Sequence, residues 1–448
     1  MKKPTIGIIS LGCPRNMVDS EVMLGILKKD GYCIMDGLEN CDIALINTCA
    51  FIEEAKEEAI DIILKAAQLK NEGRIKSIIV AGCLPQRYSD TLKKQIPEVD
   101  AFLGVCDFDK IKETVLFLSR HQLRQKQNHP IYFVTPPTKI YSHKLKRYLL
   151  TPNFYTYIKI AEGCNNNCSY CAIYKIRGKY RSRPMESIIM EIKAIGAMAH
   201  LSELNIIAQD TTSYGRDIYK KYKLAELLKK IAALDKAHWI RLLYTHPGHF
   251  TDELIETIRS EKSICKYIDL PMQHANNRIL KMMNRNTTKG EIIKLIQKIK
   301  SRIPGVALRT SVIVGFPGET DKEFKELLDF IKDTKFERLG AFVYSREEHT
   351  KAYDFKKQIP ERIKRQRLDE VMKLQQDVSA KINKRWMGKT LEVLIEEKEN
   401  DVYTGRSQYD APEVDGTVFV KGKNLKIGGF KKVKITDTLE YDLAGEVL

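Results

Sequence analysis

Three apolar runs in the first hundred residues each lead into a helical pattern, and that alternation restricts the fold more than anything else in the chain. Thr5–Ser10 (TIGIIS) feeds a helix pattern over Asn16–Lys28, and Ile43–Asn47 (IALIN) feeds one from about Phe51 to Leu69. Ser77–Ala81 (SIIVA) feeds a third, beginning near Ser89. Strands separated by helices are joined by right-handed crossovers and run parallel, which predicts an open parallel α/β sheet. Cys13, Cys49 and Cys83 each lie two or three residues beyond the end of one of these runs. In such a sheet the strand carboxyl ends share one edge, where ligand crevices form. Three thiols far apart in sequence are therefore predicted to converge on one site. Free cysteine also packs well as a small hydrophobe, and that role is assigned to Cys33, Cys41, Cys106 and Cys265, which have no such placement.

A second group of thiols is local. Gly163-Cys164-Asn165-Asn166-Asn167-Cys168-Ser169-Tyr170-Cys171 follows the apolar run Tyr157–Ala161. Thiolates suit soft metal centres, iron–sulfur or zinc. Structural zinc usually takes four protein ligands, whereas three cysteines on a cube of four irons leave one iron open. The spacing C-x3-C-x2-C resembles the signature of the radical S-adenosylmethionine (SAM) superfamily, which implies that the open iron binds the amino and carboxylate groups of SAM.

Strand patterns recur after this loop at Leu204–Gln209, Trp239–Tyr244, Tyr267–Leu270, Val306–Val314 and Arg338–Tyr344, mostly separated by helical patterns. With Tyr157–Ala161 they suggest a partial (β/α)6 barrel, the fold that the superfamily resemblance also implies. In barrels the chemistry gathers at strand carboxyl ends, and the polar motifs follow the strands. The resemblance implies SAM contacts from Tyr170, from Gln209 and Asp210, and from Arg309 and Ser311. Gly315-Phe316-Pro317-Gly318-Glu319 adds Gly315, Pro317 and Glu319, its glycines letting backbone approach the adenine. No residue is assigned a catalytic role. Arg177, Arg181 and Arg183 form a basic patch after the cysteine loop. It reads either as a solvated face or as a cradle for a carboxylate of SAM or of an acidic substrate, since arginine forks suit carboxylates. His246, His249 and His274 near strand ends are read as hydrogen-bonded structural residues.

The N-terminal motif Ser10-Leu11-Gly12-Cys13-Pro14-Arg15-Asn16-Met17-Val18-Asp19-Ser20-Glu21 resembles the RimO family of methylthiotransferases, radical SAM proteins with a second three-cysteine cluster. Asp269-Leu270-Pro271-Met272-Gln273-His274-Ala275 and Tyr344-Ser345-Arg346-Glu347-Glu348-His349-Thr350 continue the resemblance, except that His349 stands where the family has Gly, in a turn that would need positive φ. The resemblance spans essentially the whole chain. It implies two [4Fe–4S] clusters and SAM. One SAM methylates a sulfur carried by the N-terminal cluster. A second is split into methionine and a 5′-deoxyadenosyl radical, which takes hydrogen from the β-carbon of an aspartate in ribosomal protein S twelve, free or in the small subunit. A reductant such as flavodoxin or ferredoxin would supply the electron. The related tRNA enzymes, acting on an adenosine beside the anticodon, share every cysteine but usually carry Gln in place of Pro14. An RNA-binding or iron–sulfur carrier protein would need no SAM motifs.

The pattern divides the 448 residues into 1–140, 141–375 and 376–448. Basic and polar residues from Arg120 to Arg147 read as a linker or surface hairpin. Pro360–Arg385 reads as a long basic helix, and beyond Gly388 five short strands predict a small antiparallel β-barrel. It resembles a TRAM domain, with Tyr409-Asp410-Ala411-Pro412-Glu413-Val414-Asp415-Gly416 in the RimO form. Residues 386–448 carry nine Lys and Arg against twelve Asp and Glu, a net −3 in a chain of +17. Nucleic-acid affinity rests on clustered positive charge, so this barrel is read as recognising a basic protein. No run approaches membrane-spanning length and no signal peptide precedes TIGIIS. Ten cysteines without a secretory signal fit a reducing, cytosolic setting.

Overall fold

The computed structural model describes residues 3–121, 130–198 and 201–448. They pack as two compact units. The first comprises the described residues of 3–151, 161–188 and 345–353, and the second those of 152–160, 189–344 and 354–448.

The first unit is built on β1 (Thr5–Ser10), β2 (Cys33–Asp36), β3 (Ile43–Thr48), β4 (Ser77–Gly82), β5 (Ala101–Leu103) and β6 (Ile131–Phe133). All pair parallel, in the order β2-β1-β3-β4-β5-β6. The two central strands β3 and β4 are buried at every position. That is why they read as unbroken apolar runs: a parallel strand covered on both faces has no polar side. The three strands missing from the sequence reading are short or at the edge, with too few residues to show a period. β6 falls inside the basic stretch read as a linker, so part of that stretch completes the sheet; its residues 122–129 lie outside the described residues.

Helices α1 (Pro14–Lys29), α2 (Glu53–Asn71), α3 (Cys83–Gln95) and α4 (Ile111–His121) supply the covering layers. Pro14 occupies the first turn of α1, where its fixed φ suits the helix and its missing N–H costs nothing. α3 begins at Cys83, earlier than the pattern predicts. A break at Tyr88 (φ −131°) separates its first turn from the periodic part near Ser89.

β7 (Tyr155–Lys159) belongs to the second unit, and the chain returns to the first at β8 (Ala161–Glu162), which pairs antiparallel with β9 (Arg181–Ser182). The cysteine loop and α5 (Ile173–Arg177) lie between them.

In the second unit β7, β10 (Glu203–Ile207) and β11 (Trp239–Leu242) form one parallel sheet. β12 (Tyr267–Asp269), β13 (Ala307–Val314) and β14 (Arg338–Val343) form another. The backbone N–H of Thr245 donates to Asp269 O at 3.3 Å, linking the two at β11 and β12. Six parallel strands with helices between them make the expected partial barrel.

A closed barrel follows the long helix Glu361–Asn383: β15 (Thr390–Glu399), β16 (Val402–Ser407), β17 (Val418–Lys421), β18 (Phe430–Thr438) and β19 (Leu443–Val447). Its order is β15-β16-β17-β19-β18. The pairs are antiparallel save β17 with β19, which is parallel. An odd number of strands cannot alternate in direction around a closed ring, so one pair has to be parallel, and the expected all-antiparallel barrel is corrected in that respect.

His349 stands at φ 66° and is exposed, so the turn does require the left-handed region. Replacing it with Gly removes a backbone cost of roughly 1–2 kcal/mol and adds unfolded-state freedom of roughly 0.4–1 kcal/mol. A net stabilisation of up to about 1.5 kcal/mol is expected. A rise in urea midpoint for His349→Gly checks it, and a fall contradicts it.

Candidate functional site

The thiols Cys13, Cys49 and Cys83 stand at the carboxyl edge of the first unit's sheet. Cys13 is the extended N-cap of α1, Cys49 follows β3 directly, and Cys83 opens α3. Cys49 feels the charge of both Cys83 and Cys13, and Cys83 that of Cys13. Gly12 (φ 84°) turns the backbone into the site, and a Cβ there would lie 2.5 Å from Cys49 Cβ. Burial pushes Cys49 up to about 12, reinforced by the neighbouring Cys83 and Cys13. Burial raises Cys83 as well. Cys13 is half-buried, and the charges of Arg15 and Arg177 outweigh desolvation and bring it down to about 7.

Arg177 is the centre of this arrangement. Its side chain is 1% exposed, and Nη1 donates to Asp19 Oδ2 at 3.0 Å and to Glu162 Oε2 at 2.9 Å. Nη2 donates to Asn16 Oδ1 and lies 3.6 Å from Cys83 Sγ. Asn16 in turn donates through Nδ2 to Thr48 O at 2.8 Å, next to Cys49, while Asn47 Nδ2 donates to Asn16 O at 2.8 Å. One guanidinium therefore joins the helix after Cys13, the sulfur of Cys83 and the strand before Cys164. Arg177 is thus buried and held by partners of the protein itself. Arg183 is also fully buried, with Nη1 donating to Tyr141 Oη at 2.9 Å. Arg181 is half-buried and braces the loop backbone, donating to Lys179 O at 2.6 Å and Arg177 O at 3.0 Å. The sequence patch is thus dispersed: two of its arginines are structural, because their partners lie on distant segments that no local reading shows.

The cysteine loop is fixed by its own backbone. Cys164 N donates to Gly178 O at 3.1 Å and Cys171 N to Cys168 O at 3.1 Å. Gly163 (φ 74°) lets these strands meet; a Cβ would lie 2.3 Å from Lys179 O. Cys164, Cys168 and Cys171 remain partly exposed, as does Tyr170, and Asn166 N donates to Cys164 Sγ at 3.5 Å. Desolvation within the loop, with Cys168 and Cys164 adding to it, pushes the Cys171 thiol up.

In the second unit the residues expected to contact SAM divide into two groups. Asp210 is 3% exposed and accepts from Thr212 Oγ1 at 2.6 Å, Ser213 Oγ at 2.7 Å and His249 Nδ1 at 2.8 Å. Desolvation raises its carboxyl, but the bond and charge of His249 prevail and hold it well below the usual range. Glu319, 2% exposed, accepts from Gly315 N at 2.6 Å, Arg367 Nη1 at 2.6 Å and His274 at 3.0 Å. Arg309 on β13 pairs with Asp269 at 3.3 Å and Asp415 at 3.2 Å. These three side chains are held by partners within the second unit and shape the loops on which they stand. Gln209 and Ser311 are half-buried, Ser311 on the same face of β13 as Arg309, and Gly315 (φ 70°) and Pro317 form the turn after β13. His246, His249 and His274 are hydrogen-bonded as read from the sequence.

The segment 406–415 is bonded into the same unit. Arg406 pairs with Glu203 at 2.6 Å and with Glu396 at 2.7 Å, Arg338 pairs with Asp410, and Glu413 accepts from Tyr155 Oη at 2.9 Å and Tyr157 Oη at 3.2 Å. Tyr267 Oη donates to Asp415 at 2.6 Å. Sequence reading missed these pairings and, in the first unit, Asn16, Asp19 and Glu162. Gly immediately before Cys13, Cys83 and Cys164 was the available signal for tight turns at the thiols.

Two sets of three thiols, each on glycine-turned backbone and the first beside buried positive charge, have the donor chemistry of iron–sulfur sites. Each cysteine of a four-iron cube binds a different iron, so its sulfurs do not converge on one point as zinc ligands do. Among the described residues no group of three or more His, Cys, Asp or Glu is gathered to hold a single metal ion.

Comparison with known proteins agrees. The fold resembles a radical SAM methyltransferase from Kitasatospora setae, TsrM, at TM-score 0.57 and 12% identity, over 78% of this chain and 74% of that one. Residues 158–331 match the radical SAM superfamily, 387–448 the TRAM domain, and 5–104 an uncharacterized family, UPF0004. A protein named ribosomal protein uS12 methylthiotransferase RimO, from Clostridioides difficile, is 49% identical over 99% of this chain and 98% of its own length. The relative of the same name from Desulforamulus reducens is 50% identical over 99% of both. The chain belongs to the RimO family. As a RimO-family protein it is a radical SAM methylthiotransferase that uses two [4Fe–4S] clusters and SAM. Among the described residues no helix is long and apolar enough to cross a membrane.

Proposed function

We propose that this chain attaches a methylthio group to the β-carbon of an aspartate in ribosomal protein uS12, free or in the small subunit. The observation that carries the reading is the 49% identity, over 99% of the chain, to a uS12 methylthiotransferase. Cys164, Cys168 and Cys171 hold the cluster that leaves one iron for SAM, and Cys13, Cys49 and Cys83 hold the second. When bound, the clusters and SAM supply one-electron cleavage and the sulfur to be transferred, chemistry that no side chain provides. The chain's own residues bind and orient. Tyr170, Gln209, Asp210, Arg309, Ser311, Gly315, Pro317 and Glu319 would contact SAM. Arg181 is the remaining arginine of its patch with an accessible side chain for an acidic group. Exposed Glu397, Glu399 and Asp401 at the β15–β16 turn suit a basic ribosomal protein and steer its approach. A flavodoxin- or ferredoxin-type protein delivers the electron.

The test offers uS12 and tRNA in parallel to anaerobically reconstituted protein with SAM, reductant and sulfide. Mass spectrometry should find the added methylthio group on an aspartate of uS12. Modification of tRNA alone would overturn the reading.

A further inference from the structure

Besides Arg177, one buried carboxylate in the first unit ties the two thiol regions together. Glu347 lies in the segment 345–353, with its side chain 2% exposed. Its Oε2 accepts from Arg87 Nη1 at 2.8 Å and from Lys56 Nζ at 3.2 Å, and its Oε1 from Ser345 Oγ at 2.7 Å. Arg87 belongs to α3, the helix that Cys83 opens. The same Nη1 donates to the carbonyl of Ala50, next to Cys49, at 2.6 Å, and Nη2 donates to Glu348 O at 3.0 Å. Ser345 Oγ also accepts from the N–H of Glu53, which begins α2 just after Cys49, at 3.2 Å. At its far end the segment reaches the other thiol loop. Ala352 N donates at 2.8 Å to the carbonyl of Ser169, a buried residue between Cys168 and Cys171.

The segment is therefore a strap with one end on the helices that follow Cys49 and Cys83 and the other on the Cys168–Cys171 loop. What pins the first end is a buried ion pair, with Arg87 3% and Glu347 2% exposed. Such a pair adds little net stability over an apolar substitute, because desolvation offsets most of the attraction. Its bonds do set direction and distance.

We propose that Glu347 is a positioning residue for methylthio transfer: by holding Arg87 and the strap, it sets the spacing between the two thiol regions. The inference rests on the methylthiotransferase reading above. Moving sulfur from one site to a carbon activated at another is a problem of proximity, where a misplacement of ~1 Å costs on the order of 10²-fold in rate. Binding of either cluster, and cleavage of SAM, need only one thiol region at a time.

The experiment uses the full-length holoenzyme and the variants Glu347→Gln and Glu347→Ala, each reconstituted anaerobically. Three quantities are read: iron per chain, methylthio product on uS12 per 5′-deoxyadenosine, and the magnetic dipolar interaction between the two reduced clusters by electron paramagnetic resonance. Expected for Glu347→Ala are wild-type iron, 5′-deoxyadenosine formation within about twofold, a product ratio lowered by about tenfold or more, and an altered dipolar interaction. Glu347→Gln, which keeps shape and hydrogen-bonding capacity, should lie between. Iron-replete variants with wild-type product ratio and dipolar interaction overturn the proposal. Loss of iron from both sites in both variants also overturns it, because Glu347 would then be a folding residue only. The dipolar readout needs no substrate. A wild-type enzyme that leaves uS12 unmodified would sink the functional reading while still leaving the spacing claim to be decided.

Discussion

Alanine in place of Cys13, Cys49 and Cys83 is expected to halve the bound iron, to leave reductive cleavage of SAM to methionine and 5′-deoxyadenosine, and to abolish methylthio product. Alanine in place of Cys164, Cys168 and Cys171 should remove the other half of the iron and all SAM cleavage. The asymmetry follows from the two sites. The first stands at the edge of an α/β sheet beside Arg177, with Cys49 and Cys83 buried. The second stands on a loop whose three thiols are partly exposed. Iron analysis and chromatography of the SAM products check both halves. Full iron and full product in the first triple variant would show that the N-terminal thiols are packing residues.

Arg177→Met should destabilise the protein by about 3–5 kcal/mol, because it leaves Asp19 and Glu162 buried with no counter-charge. Those carboxylates are 6% and 3% exposed, so water cannot take over from the guanidinium. Neutralising them as well, with Asp19→Asn and Glu162→Gln in the Arg177→Met background, should recover much of the loss, since the penalty lies in the unpaired charges rather than in the pair. Arg177→Lys keeps the charge but loses the fork that serves Asp19, Glu162 and Asn16 together, and should fall between. Urea unfolding of the cluster-free protein measures all three. A single Arg177→Met variant within about 1 kcal/mol of wild type, the range of an exposed ion pair, would contradict the account.

The sequence by itself determined where the thiols stand. Uninterrupted apolar runs feeding helices meant parallel strands, and parallel strands put Cys13, Cys49 and Cys83 on one edge. C-x3-C-x2-C is a local spacing that needs no distant partner to be read. The sixth strand Ile131–Phe133 and the early start of α3 at Cys83 escaped because three residues show no period and a break at Tyr88 divides the helix. What only the tertiary structure decided is the fate of the charges. Arg177 looked like part of a surface patch until Asp19, 158 positions away, was seen to hold it, and Arg87 and Glu347 meet across 260 positions. The net −3 of residues 386–448 treats every charge as surface charge, yet Asp410, Asp415 and Glu396 are each paired with an arginine, Glu396 with Arg406 of the same segment. Setting these aside leaves eight basic against nine acidic residues, so the barrel's acidity lies in where its exposed carboxylates sit and hardly in their number. Burial and pairing set the value of a charge, and both depend on residues that chain order keeps far apart.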